Sequence, residues 1–430
     1  MRTPIYDFVK EYSSGKIARL HMPGHKGRAQ LGIEPLDITE VNGADVLYSA
    51  SGIILESENY ATELFKTSHT YYSTEGSTLA IKAMLMTVLK SSGNKKITIL
   101  AARNVHRAFV DAAALLDIDV EWIYGAANSL CECKITPDDV RRRLASLDKA
   151  PSALYLTSPD YLGNIADIEG IVAVCDEYGV PVLVDNAHGA YLAFLEPSRH
   201  PISLGAAMCA DSAHKTLPVL TGGAYLHISK KYAEYNEHAR ESLAVFASTS
   251  PSYLTLASLD LCNKYLACEF KKKLNECVSR IDRIKETHGL STSCEPLKIV
   301  ISKPIATELR GIGIECEMCD GETTVLMLTP ENTEEEISLL SSALSSINIE
   351  ASGKEEPMAL PMSERAMSIR EAYMSSSERI KVTESLGRVS SAPTVSCPPA
   401  VPIVVAGEVI GSGHIDAFLR YGIDEISVIK

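Results

Sequence analysis

The sequence has 430 residues, 46% of them apolar and 22% charged, and a net charge of −14 at pH 7. That is a globular balance, long enough for about two or three domains, and its acidic sign argues against nucleic acid but not against a small cationic substrate. No apolar signal core follows Met1, and no uncharged apolar run reaches the roughly 18 residues a membrane span needs, which reads as a cytoplasmic protein without a membrane segment.

Residues 1–20 read as a short amphipathic helix, with Ile5, Phe8, Val9 and Tyr12 at helical spacing. His21-Met22-Pro23-Gly24-His25-Lys26-Gly27-Arg28 follows as a cationic loop, because Pro-Gly and a second Gly disfavour regular structure. Residues 37–51 are polar and irregular, too long for a simple turn. A helix is expected over Ser57–Lys66 and a short strand at Tyr71-Tyr72-Ser73. Gly76-Ser77-Thr78 then opens a buried helix over Leu79–Lys90, a helix start that suits either a phosphate or a plain N-cap.

From Ile97 strand and helix alternate. Strands are expected at Ile97–Ala101, Val120–Tyr124, Ala153–Thr157, Val180–Asp185, Ala206–Ala210 and Gly223–Ile228, with helices at Val105–Leu116, Pro137–Leu147 and Ile168–Tyr178. Apolar strands alternating with helices of about ten residues imply a parallel sheet covered on both faces. Residues 253–290 form a long helical connector, and composition shifts near Thr292–Pro296. Beyond it, strands are expected at Lys298–Ser302, Thr323–Leu328 and Ile403–Ala406, and helices at Thr333–Ile347 and Met362–Ala372. The domain reading is an N-terminal helix and arm (1–35), a large α/β domain (36–291) and a smaller α+β domain (292–430).

Open α/β sheets bind ligands beyond the carboxyl ends of their strands. Four such ends carry chemistry here: His106 after the first of these strands, Asp160 after the third, Asp185-Asn186-Ala187-His188-Gly189 after the fourth, and Ser212-Ala213-His214-Lys215-Thr216 after the fifth. A buried lysine and a strand-end carboxylate suit pyridoxal 5′-phosphate, which is held by a lysine amine and kept protonated at its ring nitrogen by an aspartate. Small Ala187 and Gly189 let a flat ring approach the backbone. The eleven cysteines include two close pairs, Cys131/Cys133 and Cys316/Cys319. Neither pair has a companion Cys or His pair, so reduced thiols and no metal are expected.

These motifs together resemble the Orn/Lys/Arg decarboxylase family of fold-type-I pyridoxal-phosphate enzymes, in its shorter bacterial form without an N-terminal wing. The resemblance rests on His21-x-Pro23-Gly24-His25-Lys26-Gly27, Gly76-Ser77-Thr78, Arg103-Asn104-x-His106, Val184-Asp185-x-Ala187-His188-Gly189, Ser212-x-His214-Lys215-Thr216-Leu217, and Cys397-Pro398-Pro399 with Gly407-Glu408, in family order. It implies an aspartate-aminotransferase-type large domain with a mostly parallel sheet. It also implies decarboxylation of a basic amino acid, arginine first, then lysine or ornithine. Lys215 would hold the cofactor, Asp185 would face the ring nitrogen and His106 would stack on the ring, near Ala187. Ser77, Thr78, Ser212 and His214 would surround the phosphate, with Thr221 reaching that of a neighbouring subunit. His188, Asp160 and Glu408 would border the substrate, and Lys215 or His214 would return a proton. The family implies a homodimer or higher assembly with shared active sites.

The sequence departs from the family pattern at Asn186 (Glu or Ser is usual), Arg107-Ala108 (Lys-Ser), Gly222 (Gln), Asp160 (Thr) and Ala400 (Gly). Two alternatives stay open at this point. One is another fold-type-I enzyme, an aminotransferase or lyase, which needs an α-carboxylate-binding arginine such as Arg310, Arg365 or Arg370. The other is a non-catalytic paralogue.

Overall fold

The computed structural model describes residues 1–28, 30–93, 95–127, 129–349, 361–395 and 400–430. Cys397-Pro398-Pro399 therefore lies outside the described residues. The chain divides into two compact units, unit 1 with Met1–Asn94 and Val182–Leu274, unit 2 with Lys95–Pro181 and Asn275–Lys430. In chain order the first elements are α1 (Pro4–Ser14), α2 (Ile53–Phe65), β1 (His69–Ser73), α3 (Gly76–Ser91), β2 (Thr98–Ala102), α4 (Arg107–Leu116), β3 (Asp119–Ile123), α5 (Pro137–Ala145), β4 (Ala153–Thr157) and α6 (Ile168–Glu177). There follow β5 (Val182–Asp185), β6 (Met208–Asp211), the one-turn α7 (Ala213–Thr216), β7 (Ala224–Ile228), α8 (Asn236–Phe246), α9 (Tyr253–Tyr265) and α10 (Lys271–Thr287). No helix among the described residues is long and apolar enough to cross a membrane.

Within unit 1 the strands lie in the order β1-β7-β6-β5, and within unit 2 in the order β4-β2-β3. Pairs β5·β6, β2·β4 and β2·β3 are parallel, as the alternating pattern implies. The exception is β7, which runs antiparallel to both β6 and β1. A parallel return needs a full crossover, usually a helix. Between β6 and β7 the chain has only the one-turn α7 and a loop, so it comes back in the opposite direction.

In unit 1 the N-terminal helix is shorter than its amphipathic pattern, ending at Gly15, but Ile5 and Val9 are buried. Burial of each contributes about 1.5–3 kcal/mol. Asp260 on α9 receives the start of α1, its Oδ2 accepting from the amides of Ile5 (2.9 Å) and Tyr6 (3.0 Å). Its Oδ1 accepts from Ser57 Oγ on α2 at 2.6 Å, so one buried carboxylate joins three helices.

Unit 2 continues with β8 (Lys298–Ile301), α11 (Ala306–Gly311), β9 (Met318–Cys319), β10 (Thr324–Met327), α12 (Glu334–Ser346), α13 (Ile369–Met374), β11 (Ser377–Lys381), β12 (Thr394–Val395), β13 (Pro402–Val404), α14 (Ser412–Arg420) and β14 (Glu425–Ile429). Helices α5, α12 and α13 each begin with a reciprocal capping box, Thr136/Asp139, Thr333/Glu336 and Ser368/Glu371. The last of these explains why the helix expected over Met362–Ala372 starts late. Ser368 fixes the first turn, and Arg365 forms a β-bridge with Glu408 instead. Val382, Ile403, Val404, Ile410, Phe418 and Val428 close a core beneath α14 and β14.

Candidate active site

The site in unit 1 is built on the ends of β5 and β6. All four residues of β5 are buried, and Asp185 at its end is 2% exposed. Its Oδ1 accepts from the Ala187 amide at 3.1 Å. The turn that follows is tied at both sides: the Asn186 amide donates to Ala210 O (2.9 Å) and the Gly189 amide to Asn186 O (2.8 Å). A Cβ on Gly189 would stand 2.0 Å from Asn186 Oδ1, so a side chain there would force this turn apart. The turn presents His188, 5% exposed, with Nε2 3.0 Å from Lys215 Nζ.

Lys215 lies on α7, entered through buried Ser212. Ser212 Oγ donates to Ser77 Oγ at 2.8 Å, which ties the lysine loop to the start of α3. His214 is fixed twice to Gly223 O, through its amide (3.1 Å) and through Nδ1 (3.0 Å). A carbonyl only accepts, so Nδ1 carries the proton and Nε2 keeps a lone pair. Burial pushes the His214 pKa down, and the neighbouring Lys215 charge adds to that. The ring is therefore neutral at pH 7.

Helix α3 starts at Gly76 with φ +72° and has no side-chain cap. Nothing stands within 4 Å of where a Gly76 side chain would project. Ser77 is half-buried and Thr78 is exposed. An uncapped end of a 16-residue helix, open in front and edged by hydroxyls, is a place for a dianionic group. The Gly76 amide itself donates to Gly222 O at 2.7 Å. Gly222 has φ +95°, and a Cβ there would come 2.7 Å from Thr74 O, so this backbone demands the glycine found in place of the family's usual glutamine. Thr221 beside it is exposed.

Pyridoxal phosphate needs an amine, a carboxylate for its ring nitrogen, an anion-binding helix end and room for a flat ring. Lys215, Asp185, the α3 terminus with Ser77 and Ser212, and small Ala187 supply these within unit 1, and the open space before Gly76 leaves place for the phosphate.

Three further expected site residues lie in unit 2. His106 is the N-cap of α4, its Nδ1 accepting from the Ala108 amide at 3.1 Å, which fixes the ring. Asp160, 4% exposed, caps its own loop, accepting from Asn164 N (2.9 Å) and Asn164 Nδ2 (2.8 Å). Burial raises its pKa to about 6, against the pull of Asn164 and Lys298. Glu408, expected to anchor a substrate's cationic end, has Oε2 engaged by the Val405 amide (2.8 Å) and by Arg103 Nη2 (3.2 Å). Three contacts had no signal in spacing. Asn186 Nδ2 donates to Asp211 Oδ1 at 2.7 Å, and Asp211 Oδ2 meets His200 and His227.

A family model described as Orn/Lys/Arg decarboxylase, major domain, matches residues 3–333. The arginine decarboxylase of Bacillus subtilis (strain 168) is 28% identical over 97% of this chain and 93% of its own length. An uncharacterized protein of the same strain is also 28% identical, over 98% and 94%. Among solved structures, a lysine decarboxylase of Francisella novicida superposes with TM-score 0.83 at 16% identity, covering 100% of this chain and 81% of that one. That likeness shows the fold. The match over 3–333, with the lysine, aspartate and open helix end in place, makes this chain a member of the Orn/Lys/Arg decarboxylase family of pyridoxal-phosphate enzymes.

Proposed function

We propose that the protein removes the α-carboxylate of a basic amino acid as carbon dioxide and releases the corresponding amine, with arginine the first substrate and lysine or ornithine next. The observation that carries this reading is the Lys215–His188 contact beside Asp185 and the open α3 terminus. Full-length similarity to curated arginine decarboxylases supports the choice of arginine.

Lys215 is the amine that anchors the cofactor's aldehyde carbon. When bound, pyridoxal phosphate supplies the electron sink for the pair left by the departing carboxylate. Asp185 holds a proton on the ring nitrogen, Ser77, Thr78, Ser212 and the α3 amides take the phosphate, and Ala187 leaves room for the ring. His106 is proposed to stack on the ring, and His188 to face the substrate. Lys215 is the better proton donor of the two candidates, because His214 is neutral with its one N–H on Gly223 O. Asp160 or Glu408 could serve the basic side chain only by leaving their present partners.

The proposal includes a cytoplasmic homodimer with Thr221 at the neighbour's phosphate. Strongly exposed Leu20 (93%), Met22 (69%) and Leu31 (83%) on the arm support an assembly that covers them. Free thiols throughout the described cysteines support a reducing compartment. The test is a panel of arginine, lysine and ornithine with release of carbon dioxide and amine both measured. Lys215→Ala is expected to abolish turnover and the cofactor's lysine-linked absorbance band. An unchanged band overturns the assignment.

A further inference from the structure

Four side chains with metal-binding atoms meet inside unit 1 and have no role in the chemistry above. His200 caps the turn Pro201–Leu204. Cys209 and Asp211 are two apart on β6, so they share one face of the sheet. His227 stands on β7 directly opposite Cys209 in the strand register. All four are 1% exposed or less. One ligand atom from each lies within 4.8 Å of all the others. Asp211 Oδ2 is 3.0 Å from His200 Nε2 and 3.2 Å from His227 Nε2. Cys209 Sγ is 3.7 Å from His200 Nε2 and 3.2 Å from Asp211 Oδ1.

We propose that His200, Cys209, Asp211 and His227 form a closed structural site for a zinc ion. Ligands placed tetrahedrally at about 2.0–2.3 Å from zinc stand roughly 3.2–3.8 Å from one another. The His200–Asp211, His227–Asp211 and Cys209–His200 ligand pairs, at 3.0, 3.2 and 3.7 Å, are near that spacing, and all the pairs lie within 4.8 Å. Four protein ligands fill the tetrahedron, which marks a structural rather than a catalytic centre. A thiolate with two imidazoles selects zinc over the hard cations magnesium and calcium. Charge also balances. Zinc displaces the thiol proton to solvent, and its two positive charges meet one thiolate and one carboxylate, leaving a neutral cluster where burial makes net charge costly.

The outer contacts of Asp211 and His227 fit the same reading. Asp211 binds through Oδ2, while Oδ1 accepts from Asn186 Nδ2 at 2.7 Å. His227 holds Thr70 Oγ1 through Nδ1 at 2.9 Å, and Thr70 in turn holds Thr67 Oγ1 at 2.8 Å. Such second-layer hydrogen bonds orient metal ligands. The long approach of the Ile202 amide to His200 Nδ1, 3.4 Å, belongs to the metal-free ring tautomer and is lost on loading. Asn186 is the residue after Asp185, so the site braces the turn that carries the cofactor's carboxylate.

The test is metal analysis of the cofactor-loaded protein, purified after growth with added zinc and passed through gel filtration. Expected is one zinc per chain in the parent, lost in Cys209→Ser and in His200→Gln while the cofactor absorbance band remains. Cobalt(II) exchanged into the parent is expected to show thiolate-to-metal absorption that Cys209→Ser lacks. A parent carrying no more zinc than Cys209→Ser, and no thiolate band with cobalt, overturns the site. The four residues would then form a metal-free network around the Asp211 carboxylate. Neither readout depends on decarboxylation, so this result and the proposed reaction fail separately.

Discussion

Residues from the family signatures are used in opposite ways in the two units. In unit 1 several of them stay accessible: Lys215, His214 and Ser77 are half-buried, Thr78 is exposed and α3 begins without a cap, while Asp185, His188 and Ser212 are buried. In unit 2 the signature residues Arg103 and Glu408 are buried and tied to each other and to the backbone. Arg103 Nη1 donates to Pro402 O (2.8 Å), and its Nη2 to Ile403 O (3.1 Å) and to Glu408 Oε2 (3.2 Å). Its guanidinium also lies 5.2 Å from the centre of the Trp122 ring. A motif therefore does not distinguish a residue that acts from one that locks the chain. What each side chain contacts does, and each set of contacts can be altered separately.

The largest effect is expected at the residues proposed to hold the cofactor. Asp185→Asn is nearly isosteric but cannot hold a proton on the ring nitrogen. Turnover is expected to fall about 10²–10³-fold, the scale of removing one preorganised electrostatic partner. Steady-state release of carbon dioxide checks this, with a urea melt showing little change in stability. A variant that keeps turnover within about threefold would place Asp185 among the locking residues instead.

The second break is at the locking set. Glu408→Gln leaves the Arg103 charge buried without its counterpart and is expected to cost about 3–5 kcal/mol in a urea melt. Arg103→Met combined with Glu408→Leu is expected to recover most of that, because apolar replacement of a buried pair is often neutral. If the single variant costs under about 1 kcal/mol, the pair is not a lock.

Legibility in the sequence follows the same division. Strand β4 lies where its apolar run places it, Ala153–Thr157, because both faces are covered and the pattern is continuous. Lys215, Asp185, His188, Ser77 and Ser212 were visible because local motifs carry them. Strand β11 was not, since Ser377–Lys381 is mostly exposed and polar and its pairing with β14 comes from a distant stretch. The direction of β7 depended on the length of a connection, not on apolar alternation. The four-residue cluster at Asp211 was hidden for a related reason. The close cysteine pairs argued against a metal, whereas the cluster draws on Cys209 and on register across β6 and β7.

A third test separates the two units by pH. Asp160 in unit 2 has its pKa raised to about 6 by burial, from 3.8. The folded chain binds that proton more tightly than the unfolded one, so the stabilisation is full below about pH 4 and is lost as pH rises through about 6. The difference amounts to at most ~3 kcal/mol. Asp160→Asn cannot titrate, so its stability should fall less than the parent's between those limits. Asp260 in unit 1 is raised in the same direction by burial, to about 6, and is common to both proteins, so only the parent-minus-variant difference counts. Parallel pH curves would mean that Asp160 is ionised in the fold and available to a basic side chain.

The smallest effect compares two helix starts. Helix α5 in unit 2 is closed by its own side chains, Thr136 Oγ1 accepting from the Asp139 amide at 3.2 Å and Asp139 Oδ2 accepting from the Thr136 amide at 2.9 Å. Helix α3 in unit 1 has no such closure. Thr136→Ala is expected to cost about 1 kcal/mol, because it leaves a first-turn amide without its acceptor. That cost should be the same with and without pyridoxal phosphate. Ser77→Ala removes no cap from α3, so the cofactor-free protein should melt nearly as the parent does, while the stabilisation gained on adding the cofactor shrinks. If Ser77→Ala instead destabilises the cofactor-free protein as much as Thr136→Ala does, then α3 is an ordinary capped helix, and its open end is not held for a ligand.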